Sequence, residues 1–483
     1  MTRSKAILAL GYSHSLLHHH RIEAAVADGW AALDADNLGQ AATLVTHALE
    51  LSSKGSAGAW ALLSAIYLRL EQQDNALHAA RLAAERDADN CQVVLVLGRS
   101  LITCCRYVEA DAVLRRGLYV ASQRPTAASI HGGLHHALAL NLMAESDCCS
   151  DAAYLDAETH YVRAMAIYPA RDGRFNHAVS RLLRGLYDRT SWEYYEERFF
   201  VYSDSPIINR TDYWDMSPLD GRTLLLDCDG GMGDVLQFGR YAHLAKAAGG
   251  RVIAVMSERL HRLVPLLSSC GAIDEVILTS GRDARKLPPF DFGIPVMSFP
   301  LIAGTTLDNI PDARWLPVPL ELKREAARAK IGTGGLKVGL SWHSSSDDRR
   351  NIQLAIFHAL ATVPGVRLFG LQRGDAAKQI EEVSFPVMNL ENAGTDILDT
   401  VANMMEMDVV VSVDSMTCHL AGMFGVRTFT LLPARPDWRW ILGRDDSPWY
   451  PGTMRLFRQM VPGDWTGPVA AVVEAVRAMA AER

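Results

Sequence analysis

The 483-residue chain lacks the features that would place it in several protein classes. No apolar run approaches the ~20 residues needed to span a bilayer, so no membrane helix is expected. Positive charge is not in excess: 48 Lys and Arg against 55 Asp and Glu give a net charge of -7, which argues against a nucleic-acid partner. Cysteine is sparse, 8 in all, and never spaced C-x-x-C. The adjacent pairs Cys104-Cys105 and Cys148-Cys149 suit neither a zinc knuckle nor an ordinary disulfide, and read as reduced thiols buried in helices. Ala6 to Leu10 follows Arg3 and Lys5, but it is too short for a secretion leader and runs on into His18-His19-His20. Residues 1–20 therefore read as a solvated lead, and a cytoplasmic location is expected.

What is present is globular. Hydrophobic residues make up 49% and charged residues 21%, and the length suggests roughly three domains. Residues 21–202 carry an internal period of about 34 residues. Trp60, Leu63, Ser64, Tyr67, Ala76, Ala80 and Ala83 recur one period on as Val94, Leu97, Gly98, Leu101, Ala110, Leu114 and Gly117. One period back stand Ala25, Gly29, Ala32, Ala41, Val45 and Ala48, with Asp28 where the pattern wants Leu. After an insertion holding Ser146 to Ser150, a further second helix follows as Ala157, Tyr161, Ala164 and Pro169. Small residues let paired helices approach, and large ones fill the seams. The spacing resembles tetratricopeptide repeats, which implies a concave surface for a peptide or protein. Arg174 to Tyr187 with Trp192-Glu193-Tyr194-Tyr195 reads as a capping pair on that stack.

Residues 203–221 are rich in Ser, Pro, Asp and Asn and read as a linker. Beyond them short apolar runs alternate with helical stretches, the pattern of doubly wound parallel sheets. Strands are expected at Thr223–Asp227, Arg251–Met256, Glu275–Leu278 and Phe290–Ile294 in residues 222–334. In residues 335–483 they are expected at Lys337–Trp342, Val366–Leu371, Val387–Leu390, Asp408–Val413 and Thr428–Leu432. The fold class is thus an α-helical solenoid followed by two Rossmann-like units, with a ligand cleft at the carboxyl ends of both sets of strands.

Two segments at those strand ends carry chemistry. Gly231-Met232-Gly233-Asp234 opens a helix after the first strand; Leu236 stands where a dinucleotide fingerprint needs its third glycine. The glycines admit a substrate, while Asp234 suits either a helix-start carboxylate or a base. The other segment, Asp414-Ser415-Met416-Thr417-Cys418-His419, puts hydroxyls where a helix exposes free N–H groups, as a diphosphate would require; Asp414 could equally be a plain cap.

Gly231-Met232-Gly233-Asp234-Val235-Leu236-Gln237 is similar to the G-x-G-D-x-L-x loop of glycosyltransferase family 9, which includes the ADP-heptose lipopolysaccharide heptosyltransferases. Asp414 to Leu420 resembles that family's D-T-x-x-x-H-L signature. Gly339 to Trp342, Leu371-Gln372-Arg373-Gly374, and the stretch from Pro436-Asp437-Trp438-Arg439-Trp440 to Tyr450 resemble bacterial proteins that join tetratricopeptide repeats to this domain. The resemblance implies a GT-B fold, with the acceptor on the side of residues 222–334 and the nucleotide sugar on the side of 335–483. It implies Asp234 as the base, and Gly231, Gly233, Arg349, Arg350, Gln372, Asp414, Ser415, Thr417 and His419 around the donor. No metal or other cofactor is expected: Asp347-Asp348 and Asp445-Asp446 lack the context of a divalent site. Met416 stands where relatives have Gly or Ser, and the 344–350 loop is shorter and plainer than theirs. The expected activity is metal-independent, inverting glycosyl transfer from a nucleotide sugar, with the repeats recruiting a protein acceptor or partner. The alternatives are a cell-surface polysaccharide or lipid acceptor, or a repeat scaffold with an inactive transferase domain.

Overall fold

A computed structural model describes residues 3–52, 55–145, 151–201, 213–280, 287–316, 320–392 and 394–483. Its first elements are helices in antiparallel pairs: Arg3–Asp34 with Leu38–Leu51, Ala57–Arg69 with Gln73–Arg86, Cys91–Thr103 with Tyr107–Gln123, and Ala128–Glu145 with Asp151–Ile167. Polar caps open them in register with the repeat. Ser56 accepts from the Ala59 N–H at 3.0 Å, and Asn90, one period later, accepts from the Val93 N–H at 3.3 Å. The turn inside each of the first three pairs recurs as well, with Asp36, Glu71 and Cys105 left-handed at φ 59°, 58° and 57°. Gly98 is needed for approach, since a Cβ there would lie 2.4 Å from Leu114 Cδ2. The Ser64 hydroxyl donates to the Ala76 carbonyl at 2.7 Å and sits 3.1 Å from Ser100 Oγ, joining one repeat to the next.

Two expectations change here. Residues 1–20 are not a separate lead: from Arg3 onward they form the start of the first helix, because nothing in that Ala- and Leu-containing stretch interrupts it. Cys104 and Cys105 are not buried in a helix but end one and form the turn after it, with Cys105 exposed. The 146–150 insertion, with Cys148-Cys149, lies outside the described residues. No described helix is long and apolar enough to cross a membrane.

The chain divides into two compact units within helix Arg171–Leu183, one reaching His177 and the other running from Ala178 to Arg483. The expected capping pair therefore belongs largely to the second unit, and the repeat region ends before residue 202. The reason is aromatic packing. Trp192, on helix Arg189–Tyr195, is buried, donates to the Thr305 carbonyl at 2.7 Å, and meets Tyr187 and Trp438 edge-on at 5.1 and 5.6 Å. Trp449 donates to the Tyr187 hydroxyl at 3.1 Å.

Among the described residues, ten strands build the second unit: β1 (Thr223–Asp227), β2 (Arg251–Ser257), β3 (Glu275–Thr279), β4 (Phe292–Pro295), β5 (Leu336–Ser341), β6 (Val366–Gly370), β7 (Val387–Asn389), β8 (Val409–Val413), β9 (Thr428–Leu432) and β10 (Met454–Arg458). They form two all-parallel sheets, ordered β3-β2-β1-β4 and β10-β9-β8-β5-β6-β7. Leu225 pairs across β1 with Ile253 and Gly293, and Gly339 on β5 pairs with Phe369 and Val410. Strand order reverses between β1 and β4 and between β5 and β8, the places where open parallel sheets take ligands.

The described part of the 203–221 segment is not a loose linker. Tyr213 bridges to Gly293 beside β4, and Trp214 and Leu219 are fully buried. Residues 202–212 lie outside the description. Helix Glu321–Ile331 packs on helix Ile397–Met405, between β7 and β8, so it belongs with the second sheet's layer, its Arg324 and Arg328 both paired with Glu406 at about 3 Å. In the full chain, Trp192→Ala should destabilise the second unit by about 3–5 kcal/mol, measured by urea denaturation, because it leaves a cavity among three aromatic rings. An unchanged midpoint would show that these helices are peripheral.

Candidate active site

Both strand-order reversals open on one cleft of about 650 Å³. The loop after β1 supplies Gly231, Met232, Gly233 and Asp234; the loop after β4 supplies Met297. From the other sheet come Ser344, Ser345, Ser346 and Arg350 after β5, Asp414, Ser415, Met416 and His419 after β8, and Asp437 and Arg439 after β9. A second cavity of about 660 Å³, bordered by Leu336, Asp408, Arg427 and Arg483, lies at the amino ends of the six-stranded sheet, the side open parallel sheets do not use for ligands.

Asp234 is placed by the start of helix Met232–Phe238. Its Oδ2 accepts from the Gly231 N–H at 2.7 Å, and its Oδ1 accepts from Arg439 Nη2. The glycine that the turn requires is Gly230, at φ 91°, where a Cβ would lie 2.6 Å from the Asp234 carboxylate. Gly233 has another role: a Cβ there would lie 2.9 Å from His419 Cδ2, so it lets helix Met232–Phe238 close on helix Met416–Met423. Gly231 lines the cleft and meets no such obstacle.

Arg439 reaches Asp234 from a helical turn, Trp438–Trp440. It is buried, donates from Nη1 to Asp437 Oδ1 at 2.7 Å, and lies over the Trp438 and Phe238 rings at 4.6 and 5.3 Å. Burial opposes the charge on both partners. At Asp437 burial is outweighed by the Arg439 guanidinium and backbone N–H together with Arg350, which hold the carboxyl below the usual range, and Asp437 and Asp234 together keep Arg439 firmly protonated.

Asp414, at the end of β8, is buried, with Arg350 Nη1 3.1 Å from its Oδ2 and His419 Nε2 4.0 Å from its Oδ1. Burial raises its carboxyl to about 6; Arg350 opposes the rise and Asp437 adds to it. His419 is pushed down to about 3 by burial and then by Arg439, so its ring is neutral. Its Nδ1 meets the Tyr450 hydroxyl at 2.8 Å, and it stacks on Trp440 at 5.5 Å.

Other expected residues stand off the cleft. Gln372 Oε1 accepts from the Trp342 and His343 N–H groups at 3.0 and 2.9 Å, which makes it a buried bracket for the end of β5. Thr417 is buried, and its hydroxyl accepts from Ser341 at 3.3 Å. Arg349 turns outward onto Asp347 at 2.8 Å. The cleft thus gathers Gly231, Gly233, Asp234, Arg350, Asp414, Ser415 and His419 of the expected set, and adds Tyr195, Arg259, Met297, Asp437 and Arg439. Arg439 carries a signal in sequence: an arginine enclosed by tryptophans, two residues after an aspartate, has the surroundings of a buried ion pair.

Among the described residues, Asp414, Cys418 and His419 are grouped closely enough to hold a metal. The donor set fits one poorly. Burial holds the Cys418 thiol far above its ordinary range, Asp414 faces Arg350, and Arg439 disfavours a further positive charge at the His419 ring. Of the acidic pairs noted in the sequence, Asp347 is engaged by Arg349 and Asp446 by Arg444 at 2.7 Å.

No family model matches the chain. Protein FlbA of Caulobacter vibrioides is 30% identical over 318 residues, covering 60% of this chain and 52% of FlbA, so the chain spans about half the length of that curated relative. Similar solved structures include a glycosyl transferase family 9 protein from Veillonella parvula, at 13% identity and TM-score 0.41 over 56% of this chain and 100% of that one. ADP-heptose lps heptosyltransferase II of E. coli is similar at 15% identity and TM-score 0.39, over 54% and 99%. An O-GlcNAc transferase mutant of Thermobaculum terrenum is similar at 15% identity and TM-score 0.31, over 88% and 93%.

The electrostatics give a test independent of function. A carboxyl whose folded pKa, about 6, exceeds its ordinary value of 3.8 favours the folded state at low pH and loses that contribution as pH rises through 6. Asp414→Asn has no such group. Wild type and Asp414→Asn should therefore differ little below about pH 4, and the variant should gain in relative stability up to about pH 6 and hold its lead above. Thermal unfolding across that range checks it; a gap that narrows with rising pH would show that Asp414 is stabilised as a carboxylate.

Proposed function

We propose that this protein is a metal-independent, inverting glycosyltransferase that moves a sugar from a nucleotide-sugar donor to an acceptor hydroxyl, its helical repeats recruiting a protein acceptor. The observation that carries the reading is the convergence of Asp234, from the four-stranded sheet, with Arg350, Arg439 and the Asp414 to His419 helix start, from the six-stranded sheet, in one cleft. Asp234 Oδ1 takes the proton of the acceptor hydroxyl as its oxygen bonds to the anomeric carbon. The carbon–oxygen bond to the diphosphate breaks on the opposite face, and the electron pair leaves with the nucleoside diphosphate. Arginine side chains aimed into a partly dehydrated cleft are suited to that growing negative charge. The nucleotide sugar is the substrate; the chain's own residues supply the base and the cations.

Asp234→Asn keeps the size and the Gly231 contact but removes the base. Transfer should fall about 10²–10⁴-fold while donor binding persists, measured by nucleoside diphosphate release and by calorimetry. Wild-type turnover in the folded variant would take Asp234 out of the mechanism.

A repeat array offers an extended surface suited to a polypeptide segment, whereas a small acceptor would fit the cleft alone. Deleting residues 1–200 would remove Trp192 from the second unit, so recruitment is better tested by substitution. Arg99→Glu, an exposed change on the first helix of the third pair, should lower transfer to the natural acceptor and leave donor hydrolysis unchanged. Full transfer by Arg99→Glu and by equivalent changes along the other first helices would remove recruitment from the reading.

A further inference from the structure

We propose that Arg439 is an exchange residue: without donor it is held by Asp234 and Asp437, and a bound diphosphate draws off its guanidinium and leaves Asp234 Oδ1 to the acceptor hydroxyl. This rests on the transferase reading above. Both terminal nitrogens of Arg439 are engaged, Nη1 with Asp437 Oδ1 at 2.7 Å and Nη2 with Asp234 Oδ1, with Met297 Sδ 3.6 Å from Nη2. The other Asp234 oxygen is fixed by the Gly231 N–H at 2.7 Å. The oxygen that must receive the acceptor proton is therefore the one covered by a cation from the opposite sheet.

A buried guanidinium needs an anion beside it at every stage. Asp437, two residues away on the same turn, supplies one that persists, and the Trp438 and Phe238 rings give the guanidinium plane a surface to rest on while its second partner changes. A diphosphate carries more charge than one carboxylate and matches the arginine fork, so it is the ligand able to displace Asp234. The other cleft arginines are placed differently: Arg350 faces Asp414, and Arg259 donates to the Gly230 carbonyl at 3.0 Å. Once Oδ1 is uncovered, the proton passes from the acceptor oxygen to Asp234, the oxygen bonds to the anomeric carbon, and the departing diphosphate keeps the electron pair of the broken bond while facing Arg439.

Competition of two anions for one cation is a coupling, and calorimetry of the full chain with inorganic pyrophosphate measures it. Asp234→Asn should bind pyrophosphate about tenfold tighter than wild type, and Arg439→Met should bind it at least about tenfold weaker. In the double variant the gain from Asp234→Asn should vanish, giving the affinity of Arg439→Met alone. A gain that survives in the double variant would be general relief of negative charge and would overturn the exchange, as would equal affinities of wild type and Asp234→Asn, or no pyrophosphate binding by any form. If Arg439→Met does not fold, Arg439→Lys serves, since a compact ammonium bridges two carboxylates poorly. It should keep pyrophosphate binding and shrink the Asp234→Asn gain to below about threefold; an undiminished gain overturns the proposal. Sugar transfer is scored separately. Coupling without turnover of any nucleotide sugar would defeat the transferase reading alone, and turnover without coupling would defeat the exchange alone.

Discussion

The cleft depends on one close contact, the packing of Gly233 against the Cδ2 and Nε2 atoms of His419. Helix Met232–Phe238 begins at the carboxyl end of β1 and helix Met416–Met423 at that of β8, so each carries its sheet's functional loop. A single Cβ at residue 233 would stand 2.9 Å from the imidazole, and the neutral ring cannot retreat because Trp440 stacks on it and Tyr450 holds its Nδ1. With the two helix starts in contact, Asp234, one residue on, falls within reach of Arg439. The base and its cation are thus a consequence of how near two backbones come.

That approach encloses several charges in a poorly hydrated space. Each would be costly alone, and each is compensated by a cation from another segment: Asp234 by Arg439 across the cleft, Asp414 by Arg350 within the loops of the six-stranded sheet, and Asp229 by Arg198 at 3.3 Å. The last pair shows how far the arrangement extends. Arg198 lies on the short helix Arg198–Val201 and also donates to Ser298 at 2.8 Å, while Met297 N–H donates to Asp229 at 3.2 Å. A segment with the periodicity of the repeats thereby supports the loop that carries Asp234. Tyr195 continues the same support, lining the cleft beside Met297 with its ring 5.3 Å from Trp438.

Much of this was legible in the sequence, for physical reasons. Strands buried on both faces appear as short runs dominated by apolar and β-branched residues, so β1, β8 and β9 are legible to within a residue or so. The edge strand β10, Met-Arg-Leu-Phe-Arg, is interrupted by Arg455 and ended by Arg458, so it presents no such run and is not legible as a strand. The helical period shows a helical pair within residues 174–195 but not which surface it buries, because a helix reports its apolar face and not its partner. The resemblance places Gln372 at the donor, whereas its amide oxygen accepts from the backbone at the neighbouring strand end, a partner that sequence order does not reveal. Asp234 and Asp414 were visible because each follows a strand and opens a helix. Arg439 was not, since its role arises from contact with a residue far away in the chain, although the tryptophans beside it mark it as buried.

The central claim is a single displacement at the cleft with Asp234 as base and no metal. The most direct test is to follow, by proton NMR, the sugar first released when the full chain hydrolyses members of a nucleotide-sugar panel in the presence of a chelator. The account predicts release at the rate seen without chelator, with the anomeric configuration opposite to that of the donor. Release of the sugar with the donor's own configuration, or only when a divalent cation is restored, would contradict it.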